Sequence, residues 1–162
     1  MRYLSLLIVM LAPLFLARDM VWEWIGGPAD QGAVAFGAVA RTGQPNDWLI
    51  CPQDLCANAD AQAPVFAIPA SALQARITEV MAARPNATAV AANRWVERTA
   101  IMAFPDTVQV DAIALGDSQS TIAAYSRSLI GYSDMGTNRA RLEAIVTATA
   151  SGLPPAPVPA AP

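Results

Sequence analysis

The chain has 162 residues, 54% of them hydrophobic and 14% charged, with a formal net charge of −3 and no histidine. Its ten basic residues are all arginine and are scattered, so the basic stripe that marks a nucleic-acid binder is missing and nucleic acid is not an expected partner. Ser-His-Asp and Cys-His catalysis are excluded, two cysteines alone cannot complete a zinc site, and no phosphate-loop or dinucleotide fingerprint occurs, so no metal and no cofactor are expected.

Residues Tyr3 to Ala17 are uncharged and largely apolar, with Arg2 before them and Arg18, Asp19 and Glu23 after. Fifteen apolar positions lie between a signal core and a full membrane span. Cleavage after Ala17 would put Phe15 at −3, a poor fit, and Ala38-Val39-Ala40 lies too far downstream. Residues 1–25 are therefore expected to be a membrane helix, extended along the interface by Trp22 and Trp24; a cleaved signal is the alternative. Positive charge ahead of the segment and net acidity behind it place the domain in the periplasm, held at a bacterial inner membrane.

Residues 26–43 are rich in Gly and Ala and read as a linker or as irregular chain lying over the domain. Turn formers crowd residues 44–69, with brief strands available at Trp48–Ile50 and Val65–Ile68. Ser71 to Arg84 is the cleanest helix, with Ser71 and Gln74 as a capping box and Leu73, Ile77, Val80 and Met81 as its apolar stripe. Pro85 stops it.

Strands follow at Thr88–Ala91, Trp95–Met102, Thr107–Leu115 and Thr121–Ile130, with a turn at Phe104–Asp106 and a short connection at Gly116–Ser118. Their short connections make the sheet antiparallel. A second helix spans Thr137–Ala150, and the Pro/Ala-rich tail, 151–162, is expected to be disordered or polyproline II. The expected fold is an α+β domain over residues 44–150. It has an antiparallel sheet of about four strands with two helices on one face, preceded by the N-terminal membrane helix.

Polar residues gather between Tyr125 and Arg141. Ser126, Arg127 and Ser128 end a strand, Tyr132, Ser133 and Asp134 lie in a loop, and Asn138, Arg139 and Arg141 open a helix. Loop amides, a helix N-terminus and arginines suit a small anionic or polar ligand. The competing reading is scaffolding, with Asp134 or Thr137 capping the helix. Arg98 stands on an otherwise apolar strand face and needs a carboxylate, for which Asp106 and Asp134 are the candidates. Cys51 and Cys56 are expected to form a local disulfide, which suits an oxidising compartment, whereas redox catalysis more often uses C-x-x-C. The sequon Asn86-Ala87-Thr88 is a chance match in a bacterial protein.

PNDWL at 45–49, RTAIMAFPD at 98–106 and YSRSLIGYSDMGTNRARLE at 125–143 resemble the bacterial and plastid family called domain of unknown function 1499, over roughly residues 44–150. The last motif is the specific one, and Leu129 stands where members often carry an arginine. The resemblance implies an exported domain behind an apolar segment and assigns no activity. Its polar signature falls on Arg98, Asp106, Ser126, Arg127, Ser128, Gly131, Ser133, Asp134, Gly136, Asn138 and Arg139. The expected function is a membrane-anchored, non-catalytic binding or accessory module for a membrane protein or a lipidic or anionic ligand. A hydrolase-like enzyme using the Ser/Arg/Asp cluster is the alternative; it would need a serine activated without histidine.

Overall fold

The computed structural model describes Pro13 and residues 17–153. Its elements are α1 (Arg18–Gly26), β1 (Asp47–Cys51), β2 (Ala61–Gln62), β3 (Val65–Phe66), α2 (Ala70–Ala82), β4 (Ala87–Ala91), β5 (Arg94–Arg98), β6 (Pro105–Ala114), β7 (Ser120–Ser128) and α3 (Thr137–Ala150). One seven-stranded sheet runs in the order β2-β1-β7-β6-β5-β4, with β3 pairing the start of β7. The expectation of about four strands and two helices is therefore corrected to seven strands and three helices among the described residues.

The antiparallel run β4 to β7 forms from neighbouring segments, as alternation and short turns dictate. The difference lies on the far side of β7. There β1 pairs antiparallel, with Asp47 opposite Arg127 and Leu49 opposite Tyr125, and β2 adds a parallel edge. β7 becomes a central strand, and all but one of its residues are buried. A five-residue strand among prolines and asparagines carries little period, and its partner is distant in sequence, so local pattern did not reveal the pairing.

Strand alternation divides the core. On one face Ile50, Trp95, Val108, Val110, Ile122 and Ala124 pack against Leu73, Ile77 and Met81 of α2 and Leu142 and Ile145 of α3. On the other, Leu49, Cys51, Ala123 and Tyr125 pack against Phe36, Val39 and Cys56. The chain over 28–43 is thus a cover on the second face. It has no strand partner, and β6 side chains satisfy its backbone instead: Gln31 N donates to Thr107 Oγ1 (3.0 Å), and Gln109 bonds both N and O of Val34 (2.9 and 3.1 Å). Cys51 and Cys56 are joined and buried beneath this cover. Replacing both by alanine is expected to cost about 2 kcal/mol of unfolding free energy, the scale of closing so short a loop, measurable by urea titration.

Three local expectations are corrected. The Ser71/Gln74 capping box does not form: α2 starts at Ala70 after Pro69 and has no side-chain cap. Gln74 instead reaches β6 beyond its pairing with β5, where its Oε1 accepts from Ala112 N (2.8 Å). β5 ends at Arg98 and not at Met102, because residues 99–103 turn. Ala103 N donates to Thr99 O (2.9 Å), Phe104 N to Thr99 Oγ1 (3.0 Å), and Ala103 takes a φ of 54°. Of the expected turn at 104–106, Pro105 and Asp106 consequently open β6.

The N-terminal membrane helix is corrected as well. Among the described residues no helix is long and apolar enough to cross a membrane. Most of the segment 1–16 lies outside the described residues, as does the tail beyond 153. The described part, α1, is nine residues long and docks on the domain. Trp22 Nε1 donates to Met102 O (2.6 Å), its ring lies 4.5 Å from that of Phe104, and Glu23 pairs with Arg98.

Candidate functional site

The polar residues of 125–141 part onto the two faces of the sheet, because successive side chains of β7 point to opposite sides. Ser126 and Ser128 face α3. There Ser126 Oγ donates to Asn138 Oδ1, and Asn138 Nδ2 donates to Ser128 Oγ (3.0 Å) and Asn46 O (2.9 Å). Asn138 is fully buried. Arg141 follows one helical turn later, is 5% exposed, and donates to Ser126 Oγ (3.1 Å), Asn138 Oδ1 (2.6 Å) and Asp106 Oδ2 (2.6 Å).

Glu97 completes the network. It stands across from Asp106 in the β5–β6 pair, receives both Arg84 Nε (2.6 Å) and Nη2 (2.7 Å), and lies 3.1 Å from Arg141 Nε. That last contact is an ion pair without hydrogen-bond alignment. Burial alone would raise the Glu97 carboxyl, but the Arg84 hydrogen bonds and the charges of Arg141 and Arg84 hold it below its ordinary value. Burial pushes Asp106 above its ordinary value despite Arg141 and the Ser128 hydroxyl, and Asp134 nearby adds to the rise.

Arg127 lies on the other face. Its Nη2 donates to the carbonyls of Gln31 and Gly32, so it clamps the covering segment. Next to it Tyr125 Oη donates to Asp47 Oδ2 (2.7 Å), and burial with that carboxylate pushes the phenol well above its ordinary value. Arg41 pairs with both Asp47 (2.6 Å) and Asp60 (2.8 Å).

Arg98 does not meet Asp106 or Asp134. Glu97 and Asp106 share the helix face, so Arg98 points the opposite way, to Glu23 (2.7 Å) and Asp19 (3.8 Å) of α1. Arg139 is exposed, pairs with Glu143 (2.8 Å) and sits 5.2 Å over the Trp48 ring. Tyr132 and Ser133 are exposed. Asp134 caps α3: its Oδ1 accepts from Gly136 N (2.9 Å) and its Oδ2 from Asn138 N (2.8 Å). Gly136 takes φ 82°, which lets the chain turn from the cap into the helix.

The loop is pinned from the residues just before β1. Asn46 Nδ2 donates to Gly131 O (2.6 Å), and Asp134 N donates to Pro45 O (3.1 Å). Two sequence motifs far apart in the chain therefore meet here. The polar residues that sequence reasoning left out are Asn46, Asp47 and Arg84, and it took Arg141 for an arginine facing a ligand where the structure makes it the buried centre of the network. A polar residue on the core face of α3 was the available signal for Arg141, which falls in line with Leu142 and Ile145 toward the sheet.

Between the 99–104 turn and the 129–137 loop opens a cleft of about 510 Å³. Ala100, Ile101, Met102, Phe104, Ile130 and Met135 supply its apolar wall, while Asp106, Ser128 and Asp134 supply polar groups. Asp106 and Ser128 are buried and so mark its inner end. No arginine lines it. A depression of about 620 Å³ beside Pro52, Gln62 and Leu115 touches none of the network residues. Among the described residues no group of three His, Cys, Asp or Glu side chains is placed to hold a metal.

The model of a family described as "Protein of unknown function (DUF1499)" matches residues 38–149, more than half of the chain. No curated protein and no solved structure matches it.

Proposed function

We propose that this chain, which belongs to the DUF1499 family, is a non-catalytic binding module that takes an apolar ligand in the cleft beside the 129–137 loop. The cleft itself carries the reading. At about 510 Å³ it falls within the roughly 300–1,000 Å³ of small-molecule sites, and it pairs an apolar wall with a few polar groups at its inner end. Ile101 (72% exposed) and Met135 (96%) leave apolar surface open at its rim.

Two further features support a setting outside the cytoplasm of a bacterium, at the periplasmic side of the inner membrane. The Cys51–Cys56 disulfide suits an oxidising compartment. Met20 and Trp24, four residues apart on the face of α1 turned away from the domain, suit contact with a bilayer surface or a membrane protein. The hydrolytic alternative draws less support, since Ser126 is fully buried and held by Asn138 and Arg141.

Titration with 1-octanol, followed by methyl NMR, tests the site. Saturating shifts are expected at Ile101, Ile130 and Met135. Ile101→Asp is expected to weaken binding about tenfold, or about 1.4 kcal/mol, with little change in melting temperature because Ile101 is exposed. Shifts that never saturate, or that arise elsewhere, would overturn the proposal.

A further inference from the structure

We infer that the cleft selects the head group of its ligand: it takes amphiphiles with a cationic or neutral hydrogen-bond-donating head and rejects anionic ones. This rests on the apolar-ligand reading of the cleft and adds the chemistry of the other end of the ligand. The sequence motif, with its arginines and helix N-terminus, points toward an anion; the geometry points the other way.

Each expected source of positive charge is already used. The amides of Gly136 and Asn138 at the start of α3 are taken by Asp134. Arg127 clamps the covering segment on the opposite face of the sheet. Arg98 is held by Glu23, and Arg139 by Glu143 outside the cleft. Arg141 is 5% exposed and committed to Asp106, Asn138 and Ser126.

What remains to meet a ligand head is acidic. Around the inner end stand the carboxylates of Glu97, Asp106 and Asp134 against the guanidiniums of Arg84 and Arg141, three charges against two. Asp106 and Asp134 line the cleft; neither arginine does. A carboxylate or phosphate entering among apolar side chains would lose water and meet like charge. An ammonium or hydroxyl would find acceptors in Asp106, Asp134 and the Ser128 hydroxyl.

The experiment compares octylamine, 1-octanol, octanoate and octyl phosphate on the full chain at pH 7.5, by the same methyl shifts. Octylamine and octanol are expected to bind at least tenfold more tightly than the two anions. Met102→Arg, at a half-exposed wall position, should reverse the order, and Met135→Arg, at a nearly fully exposed one, serves if the first variant fails to fold. Equal binding of all four would overturn the head-group selection while leaving the cleft as an apolar site. Tighter binding of an anion would overturn it too. If none of the four binds, the cleft reading itself fails, and this inference with it.

Discussion

Replacing Arg141 by methionine is expected to lower the unfolding free energy by about 3–5 kcal/mol, because it strands a buried carboxylate. Asp106 is 1% exposed and loses its ion-pair partner at 2.6 Å; Asn138 Oδ1 and Ser126 Oγ each lose a donor. Adding Asp106→Leu should recover much of the loss, since an apolar pair of similar volume removes the stranded charge. Urea titration of the three variants against the parent gives both numbers. A loss below 1 kcal/mol in the single variant would mean that the network does not hold α3 to the sheet.

The same variant has a signed pH dependence. Asp106 is raised in the folded chain, so only between its unfolded and folded values does the native form keep a proton that the unfolded chain has released, and this group's contribution improves as pH falls through its folded value. Glu97 is lowered, so its contribution is present above its unfolded value and is lost as pH falls through its folded one. Without Arg141, Asp106 rises further and Glu97 is lowered less. Both changes favour the variant in acid, so its deficit against the parent should shrink as pH falls from 7 toward the ordinary carboxylate range.

Phe36→Ala is expected to cost about 3 kcal/mol. Phe36 is 8% exposed and packs with Val39, Leu49, Cys51 and Tyr125 on the second face of the sheet. If residues 28–43 only joined two parts of the chain, the change would stay within about 0.5 kcal/mol, as for a surface position. Val34, also in the segment, offers a smaller version of the test through its contact with the same cluster. Loss of the cover would expose Leu49 and Tyr125, so the Phe36 variant should also become more sensitive to proteolysis within 28–43.

The site illustrates how far residue spacing carries. That Asp134 and Asn138 belong to one structure was legible, because a cap and the first turn of a helix are neighbours in the chain. The separation of Ser126 and Ser128 from Arg127 follows from strand alternation and was legible too, although grouping the residues by their nearness in sequence hid it. The partners of Arg98 were not legible. They depend on α1 returning to the far side of β5, and nothing in the period of either segment requires that.

By itself the sequence determined α3, the apolar stripe of α2, and the run of antiparallel strands from β4 to β7. Each rests on contacts between residues close in the chain, where period, turn formers and prolines act directly. It also carried the family resemblance, in motifs that need no fold to be read. Only the tertiary structure decided that β1 would enter beside β7, that residues 28–43 would cover the second face, and that Arg141 would be buried among Asp106, Glu97 and Asn138. These rest on pairings between distant segments. They are chosen by which apolar faces and unpaired polar groups remain after local structure has formed, a choice that no window of sequence contains.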